Sequence, residues 1–133
     1  MDIENSVALV TGGNRGIGEA FVRALVGAGA RRVYVGTRSL DAAAHLVAAA
    51  PGRVVPVQLD VTDHEAVARA ARECGDVNVL INNAGQFFRQ TLLTAPDLSY
   101  ARQEMEVNYF GPLAMCRAFA PVLARSPQRA IAN

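Results

Sequence analysis

Gly12, Gly16 and Gly18 fall within eight residues, "TGGNRGIG" (11–18), directly after a β-branched run and directly before an apolar helical pattern. Glycines at such a junction serve three steric needs. One makes the tight strand-to-helix turn, one lets the backbone approach a pyrophosphate, and one lets the helix pack closely on the sheet. The spacing Gly12-x-x-x-Gly16-x-Gly18 differs by one residue from the common G-x-G-x-x-G, but the demands are the same. Phosphates held there face the positive end of the helix dipole and its free N–H groups. A plain glycine turn is the alternative; the strand before and the amphipathic helix after favour nucleotide binding.

A ribose with a free 2′-hydroxyl calls for an acid about 20 residues beyond the glycines, at the end of the second strand. That site reads "VGTRS" (35–39), with Thr37 and Arg38 and no carboxylate before Asp41. Arg38 suits a 2′-phosphate in a charge-assisted pair, and Arg15 in the glycine loop offers a second positive charge. Taken singly, each arginine could be a solvated surface residue. With the acid missing, the pair favours NADP over NAD.

Asp60 and Val61 end the third strand, where Asp60 could accept from an adenine amino group while Val61 packs on the ring; alone, Asp60 would serve as a turn or cap residue. "INNAG" (81–85) ends the fourth strand. Its Asn82, Asn83, Ala84 and Gly85 are either turn chemistry or a bridge between strands one and four, beside the ribose and nicotinamide. Asn108, in "MEVNYFGP", is spaced to share one helix face with Leu98, Ala101, Met105 and Cys116. A buried amide on that apolar stripe needs a partner, for either a structural or a functional reason.

These residues require an alternating scaffold. Strands are expected at 6–11, 31–37, 53–60 and 76–82, each followed by a helical pattern. The first helix carries Ile17, Ala20, Phe21, Ala24, Leu25 and Ala28 on one stripe and is ended by Gly27 and Gly29. Ser39 can cap the second, which runs to Pro51–Gly52. "TDHE" (62–65) reads as a capping box opening the third, with Val67, Ala70, Ala71 and Cys74 facing inward. A loop (83–93) leads to a long helix from near Thr94, with a kink at Pro112. The expected fold is α/β, a doubly wound Rossmann-type parallel sheet of order 3-2-1-4 with a fifth strand only begun. Pro56 agrees with strand three lying at the edge.

The chain of 133 residues is one domain's length, carries a net charge of +1 and is 51% hydrophobic. Its scattered charges argue against nucleic acid or an acidic membrane face as partner. No apolar run approaches the ~20 residues a bilayer span needs, and the acidic start does not resemble a secretory signal. Cys74 and Cys116 lack metal-ligand spacing and read as reduced thiols of a cytoplasmic protein, with no metal site expected.

"TGGNRGIG", Asp60–Val61, "NNAG" and "VNYFGP" occur in the order and at about the separations of the short-chain dehydrogenase/reductase family, which the whole chain resembles. By that resemblance Gly12, Asn14, Arg15, Gly16, Ile17 and Gly18 match the pyrophosphate loop, Arg38 an NADP-favouring position, and Asp60 with Val61 the adenine side. Asn82, Asn83, Ala84 and Gly85 match the motif beside the nicotinamide ribose. Asn108 matches the asparagine that bends the helix and holds a water in the proton relay.

In the family, a segment resembling "RAIAN" (129–133) opens a fifth strand that leads to a catalytic serine and a Tyr-x-x-x-Lys. None of Tyr34, Tyr100 and Tyr109 has a lysine four residues on, and all thirteen basic residues are arginine. The expectation is therefore the cofactor-binding portion of an oxidoreductase acting on an alcohol or ketone, inactive until the remaining part is supplied. The alternatives are a non-catalytic NADP-binding module and an interaction partner. An exposed strand-four edge is expected to pair with a second copy or with the missing piece.

Overall fold

The structure, a computed structural model, describes residues 1–89 and 93–133; residues 90–92 of the expected 83–93 loop lie outside them. Strands β1 (Val7–Thr11), β2 (Arg32–Thr37), β3 (Val54–Gln58), β4 (Val79–Ile81) and β5 (Ala130–Ala132) form one sheet. Its order is β3-β2-β1-β4-β5 and every pairing is parallel. Val10 of β1 lies level with Val35 of β2 and Ile81 of β4. The expected 3-2-1-4 order is seen, with Pro56 on the edge strand β3, where its missing N–H costs no ladder bond.

Side chains alternate across the sheet, so each strand contributes to two cores. Val7 and Leu9 face one side with Tyr34 and Leu80. There they meet α3 (His64–Glu73) and α5 (Gly111–Leu123) through Val67, Ala70, Met115 and Phe119. Ala8 and Val10 face the other side with Val33, Val35 and Ile81. There α1 (Gly16–Gly27) supplies Val22 and Leu25, and α2 (Ala44–Ala49), entered through a 3₁₀ turn at Leu40–Ala43, supplies Leu46. Helices thus cover both faces, the doubly wound arrangement. No helix among the described residues is long and apolar enough to cross a membrane.

Several sequence expectations are corrected. The inward row of α1 is Gly18, Val22 and Leu25, while Ile17, Ala20, Phe21, Ala24 and Ala28 are exposed. The glycine turn sets this phase: Gly18 must face the sheet, which turns the Ile17–Phe21–Ala24 row one position away. Ser39 makes no capping bond. The cap of α3 is Asp63, whose Oδ1 accepts from the N–H groups of Glu65 (2.9 Å) and Ala66 (3.2 Å), so there is no box between Thr62 and Glu65. Asp63→Ala is expected to lower stability by about 1 kcal/mol in denaturant unfolding, the usual cost of a lost N-cap.

The long helix begins at Ser99 (α4, Ser99–Met105), not near Thr94. Pro96 disfavours helix in the residue before it, and Asp97 Oδ1 accepts from Ser99 N–H at 2.7 Å. A π-helical turn, Glu106–Phe110, joins α4 to α5 two residues before Pro112, which has no N–H to give the Asn108 carbonyl. The extra residue in that turn breaks the expected face. Leu98, Met105 and Asn108 are exposed, and the buried row runs through Gly111, Met115, Phe119 and Val122. Finally, β4 is not an edge: β5 pairs with it from Val79↔Ala130 to Ile81↔Ala132, so the free edge on that side belongs to β5.

Candidate functional site

The carboxyl ends of β1, β2 and β4 and the segment after β3 surround a cleft of about 690 Å³. All the sequence-predicted residues line it except Asn14, Asn82 and Asn108. Its floor is the glycine turn. Gly12 and Gly16 adopt φ of +63° and +57°, left-handed conformations that side chains disfavour. A Cβ on Gly18 would strike the Gly12 carbonyl oxygen and lie 2.5 Å from Asn83 Nδ2. The first helical bond of α1 runs from Glu19 N–H to Arg15 O at 3.2 Å, and Arg15 gives no side-chain cap. The N–H groups of Gly16, Ile17 and Gly18 therefore lack intrahelical acceptors and sit at the positive end of α1. The acid in that first turn, Glu19, is engaged elsewhere. Hydrogen bonds from Arg23 and then His45 hold its carboxyl below the usual range.

Asn83 locks β4 to the glycine turn. Its Nδ2 donates to Thr11 O (3.0 Å) and Gly12 O (3.2 Å). In return, Thr11 Oγ1 accepts from the N–H groups of Asn83 and Ala84, each at 3.0 Å, and donates to Ile81 O at 3.5 Å. Asn83 thus bridges the diverging strands as expected. Asn82 does not. Its N–H donates to Ala132 O (2.8 Å) and its Nδ2 to Asn133 Oδ1 (2.7 Å), so it turns from the cleft toward β5.

At the other end Arg38 and Arg15 are exposed, and neither guanidinium makes a hydrogen bond or ion pair among the described residues. Asp60 Oδ1 accepts from Thr62 N–H (2.9 Å) and Thr62 Oγ1 (2.7 Å), so its turn-residue role is real, while Asp60 and Val61 both border the cleft. Val61 also packs on α5: a Cβ on Gly111 would lie 2.7 Å from Val61 Cγ2.

Asn108 is exposed, not buried, and stands outside the cleft lining. Both ends of its amide are satisfied by one residue: Oδ1 accepts from Gln86 N–H and Nδ2 donates to Gln86 O, each at 2.8 Å. With Glu104 Oε1 accepting from Phe88 N–H at 2.6 Å, it holds the strip after Gly85 as a wall. That wall carries Phe87, 79% exposed, which lines the cleft as does Ile17, 73% exposed.

Sequence reasoning missed Thr11, Gly36, Thr37, Leu59, Gln86, Phe87 and Val107, all of them beside the cleft or bonded to it. Gly36 could have been found, since a glycine inside a β-branched run marks a close approach. A Cβ there would lie 2.9 Å from Leu59 Cδ2. Nothing in the pattern distinguishes Phe87 or Gln86. Three unmet N–H groups at a helix start, glycines with no room for a Cβ, and two free guanidiniums suit an elongated ligand with separated phosphates.

The family profile described as short chain dehydrogenase matches residues 6–133. Among curated proteins, the short chain dehydrogenase tazN of Aspergillus terreus is 37% identical over 134 residues, covering 95% of this chain and 29% of its own length. Among solved structures, a short chain dehydrogenase from Burkholderia cenocepacia in complex with NADP is 48% identical with a TM-score of 0.90. That match covers 98% of this chain and 53% of the other. The 3-ketoacyl-(acyl-carrier-protein) reductase from Brucella melitensis, complexed with NADH, is 25% identical with a TM-score of 0.88, covering 97% and 56%. The chain thus spans about half, or less, of the length of these relatives.

Proposed function

The chain belongs to the short-chain dehydrogenase family of oxidoreductases, and on that premise we propose that it holds NADP in the cleft at the carboxyl ends of β1–β4. The observation that carries this reading is the pair Arg15 and Arg38, both at the cleft, both without a hydrogen bond or ion pair among the described residues, with no carboxylate closing β2. When bound, the nicotinamide gives or takes a hydride.

The chain's own residues bind and orient. The N–H groups of Gly16, Ile17 and Gly18 hold the pyrophosphate, and Gly12 and Gly18 leave it room. Arg38, with Arg15, pairs with the 2′-phosphate. Asp60 and Val61 border the adenine, while Asn83, Ala84 and Gly85 flank the nicotinamide ribose. Asn14 belongs to the glycine loop, and Asn82 ties the loop after β4 to β5 from behind. Asn108 fixes the wall through Gln86, and its proton-relay role requires a Tyr-x-x-x-Lys, which this sequence does not contain.

The reaction we assign to the full-length protein is hydride transfer between NADP(H) and an alcohol or ketone, with residues 1–133 as its dinucleotide-binding domain. By themselves these residues bind without turnover, because general-acid help to the forming alkoxide is missing. A non-catalytic NADP-binding module is the second reading, which turnover by the full-length protein would exclude. The free edge of β5, with Ile131 exposed, is the place where a second copy or further chain would pair. The free thiols Cys74 and Cys116 support a reducing, cytoplasmic setting.

The test is to titrate the chain with NADPH and then add a panel of ketones. Saturable binding with no loss of NADPH absorbance is expected. Turnover by these residues alone would overturn the binding-only role, and absence of binding would overturn the NADP reading.

A further inference from the structure

Thr37 closes β2, borders the cleft and is 3% exposed. Among the described residues its hydroxyl bonds only to Ser39. Oγ1 donates to Ser39 O at 2.9 Å and accepts from Ser39 N–H at 3.3 Å. Its carbonyl accepts from Leu59 N–H at 2.8 Å, tying Thr37 to the segment after β3. Arg38 therefore sits between a residue anchored in the sheet and one whose two main-chain polar groups are bonded back to that anchor.

Resting on the NADP reading above, we infer that Thr37 is a positioning residue for cofactor selectivity: its hydroxyl fixes the direction in which Arg38 leaves β2. An arginine on a loose segment loses backbone and rotamer freedom when it meets a phosphate, and that loss is subtracted from the affinity. A backbone already closed by the Thr37 hydroxyl leaves only the side chain to order. The gain falls on the 2′-phosphate alone, because Arg38 has nothing to grip on a 2′-hydroxyl cofactor comparable to that dianion.

Thr37→Val keeps the shape and β-branching of the side chain, and the Ser39 groups it releases belong to an exposed residue, so water replaces the hydroxyl. The fold is expected to survive. Titrations with NADPH and NADH should then show the NADPH Kd raised about fivefold to tenfold, and the NADH Kd changed less than about twofold. Thr37→Ser, which keeps both bonds, should restore the wild-type ratio. Thr37→Ala gives the same reading if the valine variant fails to fold. An unchanged NADPH-to-NADH ratio in a folded variant, or equal weakening of both, overturns the inference while leaving the NADP reading intact. A wild-type chain with no preference for NADPH overturns that reading, and this inference falls with it.

Discussion

Gly18→Ala is expected to cost the chain NADPH affinity by about 100-fold and stability by about 2–4 kcal/mol. The reason is geometric. The added Cβ would meet the Gly12 carbonyl oxygen and Asn83 Nδ2, and neither is the free end of a flexible side chain. Gly12 is fixed by its left-handed turn, and the Asn83 amide is held by bonds to Thr11 O and Gly12 O. Either α1 moves outward or those two hydrogen bonds break. Both routes open the turn that presents the N–H groups of Gly16 and Ile17.

Gly16→Ala is the informative control. A Cβ at Gly16 meets nothing within 4 Å, so only its φ of +57° penalises the substitution, by about 1 kcal/mol. Denaturant unfolding and cofactor titration of the two variants should therefore rank Gly18→Ala well below Gly16→Ala. The reverse order would mean that close approach of α1 to β4 does not shape this site.

The second large effect is expected at Arg38. Arg38→Asp should raise the NADPH Kd by about 100-fold and leave the NADH Kd within about threefold of its starting value. The side chain makes no hydrogen bond or ion pair among the described residues, so reversing its charge removes nothing from the fold. Thermal stability should not change, and this separates a binding role from a structural one. A dianionic phosphate facing an aspartate loses an attractive pair and gains a repulsive one. The difference should shrink with added salt, because the position is exposed. Equal weakening of NADPH and NADH would place Arg38 outside 2′-phosphate recognition.

The parallel sheet was legible because its evidence is local. Short β-branched runs bounded by glycines admit one strand assignment, and Pro56 marks an edge. The glycine turn was legible for the same reason, since Gly12, Gly16 and Gly18 sit where strand passes to helix. Helix phase was legible in α3, whose expected Val67, Ala70 and Cys74 are buried, but not in α1 or the long helix. In α1 the small residue Gly18, not the larger Ile17 or Phe21, faces the sheet, because close approach and not apolar area decides which side turns in. The long helix changes phase at Glu106–Phe110, and no residue type there announces a π turn.

Asn108 illustrates the consequence. Its amide was expected on a buried stripe, and the extra residue in the turn carries it to the surface, where Gln86 satisfies it. Asn82 and Asn83 are adjacent and identical in type, yet face β5 and β1 respectively. Strand alternation separates them, but which one takes the cleft depends on register, which sequence alone does not print.

The most direct measurement is a pair of titrations of the unmodified chain, one with NADPH and one with NADH, at the same ionic strength. Saturable binding of NADPH at least about tenfold tighter than NADH is expected from the two guanidiniums at the cleft, which have no partner among the described residues. Equal affinity for the two cofactors, or tighter binding of NADH, would contradict the assignment of this cleft to NADP.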